Sequence, residues 1–240
     1  HPSAVRCIAE TASTIALAAE NAGAPRGLIS CLRQISLQGT NELMSHRRTA
    51  LILATGGGPM VRAAHSTGKP AYGVGPGNVP VYVDRSADIE LAGRYIVASK
   101  AFDCSTICAT EQAVIADRPV AERLAENMRA AGAYFTTPSE TDALRRTLFH
   151  PDGSLNTRVI GKPAGYVAAY AGFNVSPDTR VLVTPLIKAG REEPLSHEKL
   201  TTVLAWYEVD GWDQGCERSI ELIQTGGRGH TQIIYAQDER

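Results

Sequence analysis

Apolar residues recur at helical spacing near the start of the chain. Val5, Ile8, Ala12, Ile15, Ala16 and Ala19 share one face and predict a helix over 4–22. "NAGAP" closes it, with Gly23 and Pro25 as stop signals. Short apolar runs follow: "GLISCLR" (27–33) predicts a strand and "TALILAT" (49–55) a second. "GGGPMVRAAHSTG" then turns into a short helix, with Pro59 suited to its first turn. "PAYGVG" and "VPVYVD" are apolar runs parted by Gly-Pro-Gly-Asn, and "ADIELAGRYIVASKAF" has helical periodicity.

The second half repeats this alternation. "EQAVIAD", "TRVLVTP", "TTVLAWYEV" and "TQIIYA" predict strands. "PVAERLAENMRAAGA", "SETDALRRTLF", "PAGYVAAYAG" and "WDQGCERSIELIQT" predict helices. Strands alternating with helices imply an α/β fold with largely parallel sheets in two stacked layers or domains. The expected seam lies near Ser99 to Asp103, giving a domain over 1–100, a second over 101–235 and a tail over 236–240. No repeat or low-complexity linker interrupts the pattern.

Composition narrows the class. The chain has 240 residues, 43% hydrophobic and 20% charged, with a net charge of −1. That suits a packed core and gives no electrostatic case for nucleic acid or an anionic membrane. No apolar run approaches the ~18–20 residues of a membrane span. Five cysteines at irregular positions (7, 31, 104, 108 and 216) argue against a disulfide framework and for a reducing, cytoplasmic setting. A start at His1-Pro2 rather than Met, directly before a helical pattern, suggests a fragment of a longer protein.

Two glycine-rich stretches are candidate ligand contacts. "ATGGGPM" sets three glycines between a strand and a helix start, where backbone approaches a ligand closely and the helix N-terminus favours negative charge. A tight turn without a ligand reads equally well. It is not a P-loop, because no Gly-Lys-Ser/Thr follows. "GVGPGN" (73–78) has the wrong spacing for a dinucleotide fingerprint and precedes a strand, so a bend or backbone crossing fits it better.

"FDCSTICATEQAVI" carries Cys104 and Cys108. Metal binding needs about four ligands, and no further Cys or His is near in sequence. A redox pair more often shows C-x-x-C. Two buried structural thiols are the default, yet Asp103, Ser105, Thr106, Thr110, Glu111 and Gln112 make the surroundings polar. A cysteine on a polar loop is a nucleophile candidate.

This segment resembles the catalytic-cysteine segment of CoA-acylating aldehyde dehydrogenases, including the aldehyde half of bifunctional aldehyde-alcohol dehydrogenases. The family pattern is Phe-Asp-Asn, a few residues, then Ile-Cys-Ala-Ser-Glu-Gln and a strand. "LILATGGGPMVRAAHSTGKPAYGVGPGNVPVYVD", "EEPLSHEKLTTVLAWY" and "GGRGHTQIIY" resemble further family landmarks in the same order. The resemblance spans nearly the whole chain and makes Cys108 the nucleophile. Cys104 departs from the family's usual Asn.

The resemblance implies a reaction and its parts. An aldehyde, NAD (NADP as the alternative) and coenzyme A as co-substrate give acyl-CoA through a thioester on Cys108. The backbone N–H of Cys108 is a candidate oxyanion donor. Glu198 resembles the glutamate that binds the nicotinamide-side ribose, while Thr55, Gly56 and Gly57 lie beside the nicotinamide half. His230 is a candidate to assist the incoming thiol, a surface or structural histidine reading equally well, and His1 falls near an adenosine-end position. Residues 1–100 would then be the C-terminal part of the NAD-binding domain and 101–235 the catalytic domain, in a homo-oligomer with no metal. Hydrolytic relatives carry a Glu base near Val74, but residues 71–80 contain no acidic side chain. Water needs such a base more than a thiol does, which favours acyl transfer to coenzyme A. Hydrolytic or acyl-phosphate-reducing relatives and a truncated, assembly-only chain are the alternatives. Cys104 could also trap Cys108 as a disulfide under oxidation.

Overall fold

The computed structural model describes residues 4–226 and 228–238, so His1 lies outside the described residues. The chain divides into two compact units, His1–Gly73 and Val74–Arg240.

The first unit is thinly packed. Helix α1 (Val5–Asn21) forms as its periodicity predicts, yet none of its residues is buried. Residues 27–33 form turns and bends rather than the expected strand. That stretch begins at left-handed Gly27 (φ 81°) and leaves Leu28 and Leu32 exposed, so nothing rewards an extended pairing there. Helix α2 (Leu37–Ser45), capped by the Ser36 hydroxyl accepting from the Gly39 N–H, follows instead. Strand β1 (Ile52–Thr55) and strand β2 (Ala71–Val74) make a two-stranded sheet, joined through helix α3 (Gly58–His65). Its small core is Met44, Ile52, Ala54 and Ala64.

The second unit is a six-stranded, wholly parallel sheet. Its strands are β3 (Val79–Val83), β4 (Glu111–Asp117), β5 (Ala133–Phe135), β6 (Val181–Pro185), β7 (Val203–Val209) and β8 (Ile233–Tyr235), in the order β5-β6-β7-β4-β3-β8. Helices α4 (Ile89–Ala101) and α5 (Arg118–Ala130) cover one face, packing on Val81, Val114, Val183, Leu204 and Trp206. Helices α6 (Pro138–Leu148), α7 (Ala164–Ala171) and α8 (Gly211–Gly226) cover the other, where the alternate residues Tyr82, Ile115, Leu182, Val203 and Tyr207 point. Strands buried on both faces explain the near-continuous apolar runs in the sequence.

The unit boundary at Gly73/Val74 precedes the seam expected at Ser99–Asp103. Strand β3 pairs with β4 residue by residue, and α4 packs against α5, so residues 79–101 belong to the sheet that carries the cysteine segment.

Candidate active site

Four loops enter neighbouring strands at one edge of the sheet. Glu198 precedes β7, Cys108 precedes β4, Gly77 precedes β3 and His230 precedes β8, and these strands lie side by side in that order. Because all are parallel, all four loops meet at the amino edge. Open α/β sheets more often bind ligands at the carboxyl edge. Clefts of about 480 and 640 Å³ do open at the carboxyl edge, around Arg145, Ile187 and Glu193 and around Arg118 and Arg129. Neither contains a site residue expected from the sequence.

Gly77 is the meeting point. Its backbone N–H donates to Glu198 Oε1 at 3.2 Å. A Cβ placed on it would come within 2.5 Å of the Cys108 carbonyl oxygen and 3.0 Å of His230 Nε2. Gly77 is therefore glycine because of close approach, not because of its turn conformation. Cys108, Glu198 and His230, expected together from the sequence, are gathered around one buried backbone position.

The cysteine loop is held in an uncommon conformation. Asp103, Cys104 and Ser105 have φ of 48°, 49° and 64°, left-handed values that cost energy for non-glycine residues. Side chains stabilise it: Thr106 Oγ1 donates to the Asp103 carboxylate, and the buried Ser105 and Thr110 hydroxyls bond at 2.9 Å. Ser105–Thr110 closes the base of the loop, with Cys108 between them. Cys104 and Cys108 are both half-buried, free thiols.

His230 Nδ1 accepts from the Thr231 N–H at 2.9 Å. The neutral ring then carries its proton on Nε2, which is buried and has no hydrogen-bond partner among the described residues. Toward Gly77 and Cys108 the ring presents a donor. The Asn78 Nδ2 group bonds the carbonyls of Ser196 and Leu222, tying the Gly77 turn to the Glu198 loop and to α8.

Behind this edge lies a buried polar cluster that sequence reasoning missed. Lys100 and Lys199 are wholly buried and share Gln112, whose Oε1 accepts from Lys100 Nζ at 3.3 Å and from the Lys199 backbone N–H at 3.2 Å. Buried Glu111 accepts from the Ser99 hydroxyl at 2.7 Å. Burial pulls Lys100 down to about 7, against the opposing pull of Glu111 and Glu198. Burial raises Glu198, while the Gly77 N–H and the two lysines draw it back. One signal was available: Lys100 continues the core stripe Ile89, Gly93, Ile96 of α4, so a charged residue sat on a buried face.

Glu198 is half-buried, and its second carboxylate oxygen accepts no hydrogen bond among the described residues. That free acceptor fits a sugar hydroxyl. In the first unit, exposed Thr55 ends β1, and exposed Gly56 and Gly57 lead into the N-terminus of α3. Bare backbone at a helix start fits close approach of a cofactor. No group of three or more His, Cys, Asp or Glu among the described residues could hold a metal ion. No helix among them is long and apolar enough to cross a membrane.

The aldehyde dehydrogenase family model matches residues 7–144. An aldehyde-alcohol dehydrogenase of Clostridium acetobutylicum is 41% identical over 238 residues, covering 99% of this chain and 27% of that protein. An acetylating aldehyde dehydrogenase structure from Geobacillus thermoglucosidasius is 46% identical with a TM-score of 0.93, covering 100% of this chain and 53% of that one. A propionaldehyde dehydrogenase of Rhodopseudomonas palustris, solved with propionyl-CoA bound, is 30% identical with a TM-score of 0.87 over 99% of this chain and 52% of its own. The chain thus spans about a quarter of that curated relative and about half of the solved chains.

Proposed function

The chain belongs to the aldehyde dehydrogenase family, and on that premise we propose that it oxidises a short aldehyde to acyl-CoA through a thioester on Cys108. The observation that carries this reading is the convergence of the Cys108, Glu198 and His230 loops on Gly77. Cys108 Sγ attacks the aldehyde carbonyl as a thiolate, forming a C–S bond and an oxyanion that the Cys108 N–H stabilises. When bound, NAD, or NADP as the alternative, supplies the hydride acceptor. Glu198 holds the nicotinamide-side ribose through its free oxygen, with Thr55, Gly56 and Gly57 alongside the nicotinamide half. The coenzyme A thiol then attacks the thioester carbonyl, the bond from the acyl carbon to Cys108 Sγ breaks, and the thiol proton passes to the departing Cys108 sulfur, with His230 the residue that assists the incoming thiol. The lack of any carboxylate in residues 71–80 favours a thiol acceptor over water. In this reading the protein works as a cytoplasmic homo-oligomer.

The test is NADH formation from a panel of short aldehydes by the whole protein. Activity should require coenzyme A, vanish in Cys108→Ala and survive in Cys104→Ala. A protein that keeps turnover without Cys108, or that releases free acid at the same rate without coenzyme A, refutes the reading.

A further inference from the structure

Lys199 follows Glu198 and is wholly buried. Its ammonium donates to three backbone carbonyls: Leu195 at 2.7 Å, His197 at 2.8 Å and Gln112 at 3.1 Å. Each of its three protons therefore has an acceptor, and none of the acceptors is a carboxylate. Burial and the neighbouring Lys100 pull Lys199 well below the ordinary lysine range, against Glu193 and Glu198, yet three carbonyls around one nitrogen suit an ammonium; a neutral amine would turn its lone pair on one of them. Burying this charge is costly, and an apolar side chain would fill the same space without that cost. The return is geometric. Two of the carbonyls belong to the turn just before Glu198. The third belongs to the start of β4, the strand entered from the Cys108 loop, and Gln112 Oε1 also fixes the Lys199 backbone N–H.

We propose that Lys199 is a positioning residue for Glu198: its ammonium staples the Glu198 turn to β4, so that cofactor ribose and nucleophile keep a fixed spacing. The proposal deepens the reading of Glu198 as the ribose-binding carboxylate and rests on it. Without the staple, the Leu195 and His197 carbonyls lose their shared donor and the turn relaxes, while the Cys108 loop keeps its own Ser105–Thr110 closure.

The experiment measures NAD affinity by calorimetry and Cys108 alkylation by iodoacetamide in the whole protein, for Lys199→Met, Glu198→Gln and the double variant. Lys199→Met is expected to weaken NAD binding about tenfold, with alkylation of Cys108 within about twofold of the parent. The double variant should bind NAD no more weakly than Glu198→Gln alone, because one residue acts through the other. Losses that multiply in the double variant, or an unchanged NAD affinity in folded Lys199→Met, overturn the proposal. If Lys199→Met does not fold, Lys199→Gln, whose shorter side chain cannot bond all three carbonyls, carries the same cycle with the same decisive outcomes. A Glu198→Gln protein that binds NAD as tightly as the parent overturns the ribose reading itself, and the proposal with it.

Discussion

The two units follow the same alternation of helix and strand but bury very different amounts. In the first, α1 buries nothing, Ile15 and Leu17 of its apolar positions are more than half exposed, and the core is four residues. In the second, every strand of the sheet but β8 contributes buried residues to the core, and β8 packs Ile233 and Tyr235 against it. Every buried polar or charged residue among the described ones also lies in the second unit, from Asn78 onward. Periodicity thus sets local structure in both units, but only the second converts it into a core that buries polar and charged side chains, nearly all of them hydrogen-bonded.

Core truncation should break the symmetry most strongly. Leu124 is fully buried between α5 and the sheet, so Leu124→Ala should destabilise the second unit by about 2–5 kcal/mol. Both tryptophans, Trp206 and Trp212, lie in that unit, so urea unfolding followed by their fluorescence measures it. Leu17→Gln in α1, at a position 61% exposed, should change helix content and stability by about 0.5 kcal/mol or less. A larger loss there would show that α1 is covered by something else in the whole protein.

A pair of glycines sharpens the contrast at the level of activity. Gly77→Ala places a methyl 2.5 Å from the Cys108 carbonyl oxygen, a backbone atom with nowhere to yield. It should lower kcat/KM by about a hundredfold, the cost of moving a nucleophile by an ångström or so. Gly57→Ala in the first unit meets only Pro59 Cδ at 3.8 Å, from a φ of −64° that alanine adopts freely. The fold should accept it, and any effect should fall on cofactor KM. Equal losses of kcat in both variants would end the distinction.

A further effect is a slope. Lys100 is held at about 7, facing Glu111, Glu198, Gln112 and Lys199, whereas an unfolded lysine titrates near 10.5. Between these values the unfolded chain binds more protons than the folded one, so stability rises with pH through that window. Below about pH 7 both states are protonated and the burial penalty is at its full extent. Relative to Lys100→Met, the parent should gain about 1 kcal/mol per pH unit between pH 7.5 and 9, measured by urea unfolding. A parallel pair of curves would mean that Lys100 stays charged when buried.

Much of this was legible in the sequence, and the misses have physical causes. The strands at 111–117, 181–185 and 203–209 were read correctly because long apolar runs bounded by polar turns have few other solutions. Strand β5 was missed because three residues, Ala133–Phe135, show no period. Residues 27–33 misled because an apolar run alone does not supply a pairing partner. Cys108, Glu198 and His230 stood out through family pattern, but their meeting at Gly77 depends on strand order, which no local signal encodes. Lys199 and Gln112 were silent for the same reason: their partners are the backbone carbonyl of a strand start and a neighbouring turn, over eighty residues apart in the chain.

The wholly parallel sheet also bears on how the protein is made. Gly77 and Glu198 are 121 residues apart, and β8, which carries His230 to the same edge, follows the other five strands of this sheet in the chain. A ribosome extends the chain N-terminus first, at about 5–20 residues per second. Cys108 therefore leaves the exit tunnel seconds before its neighbours at 198 and 230 exist. Throughout that interval the nascent chain carries an unguarded thiol, and the constellation around it assembles only once β8 has followed.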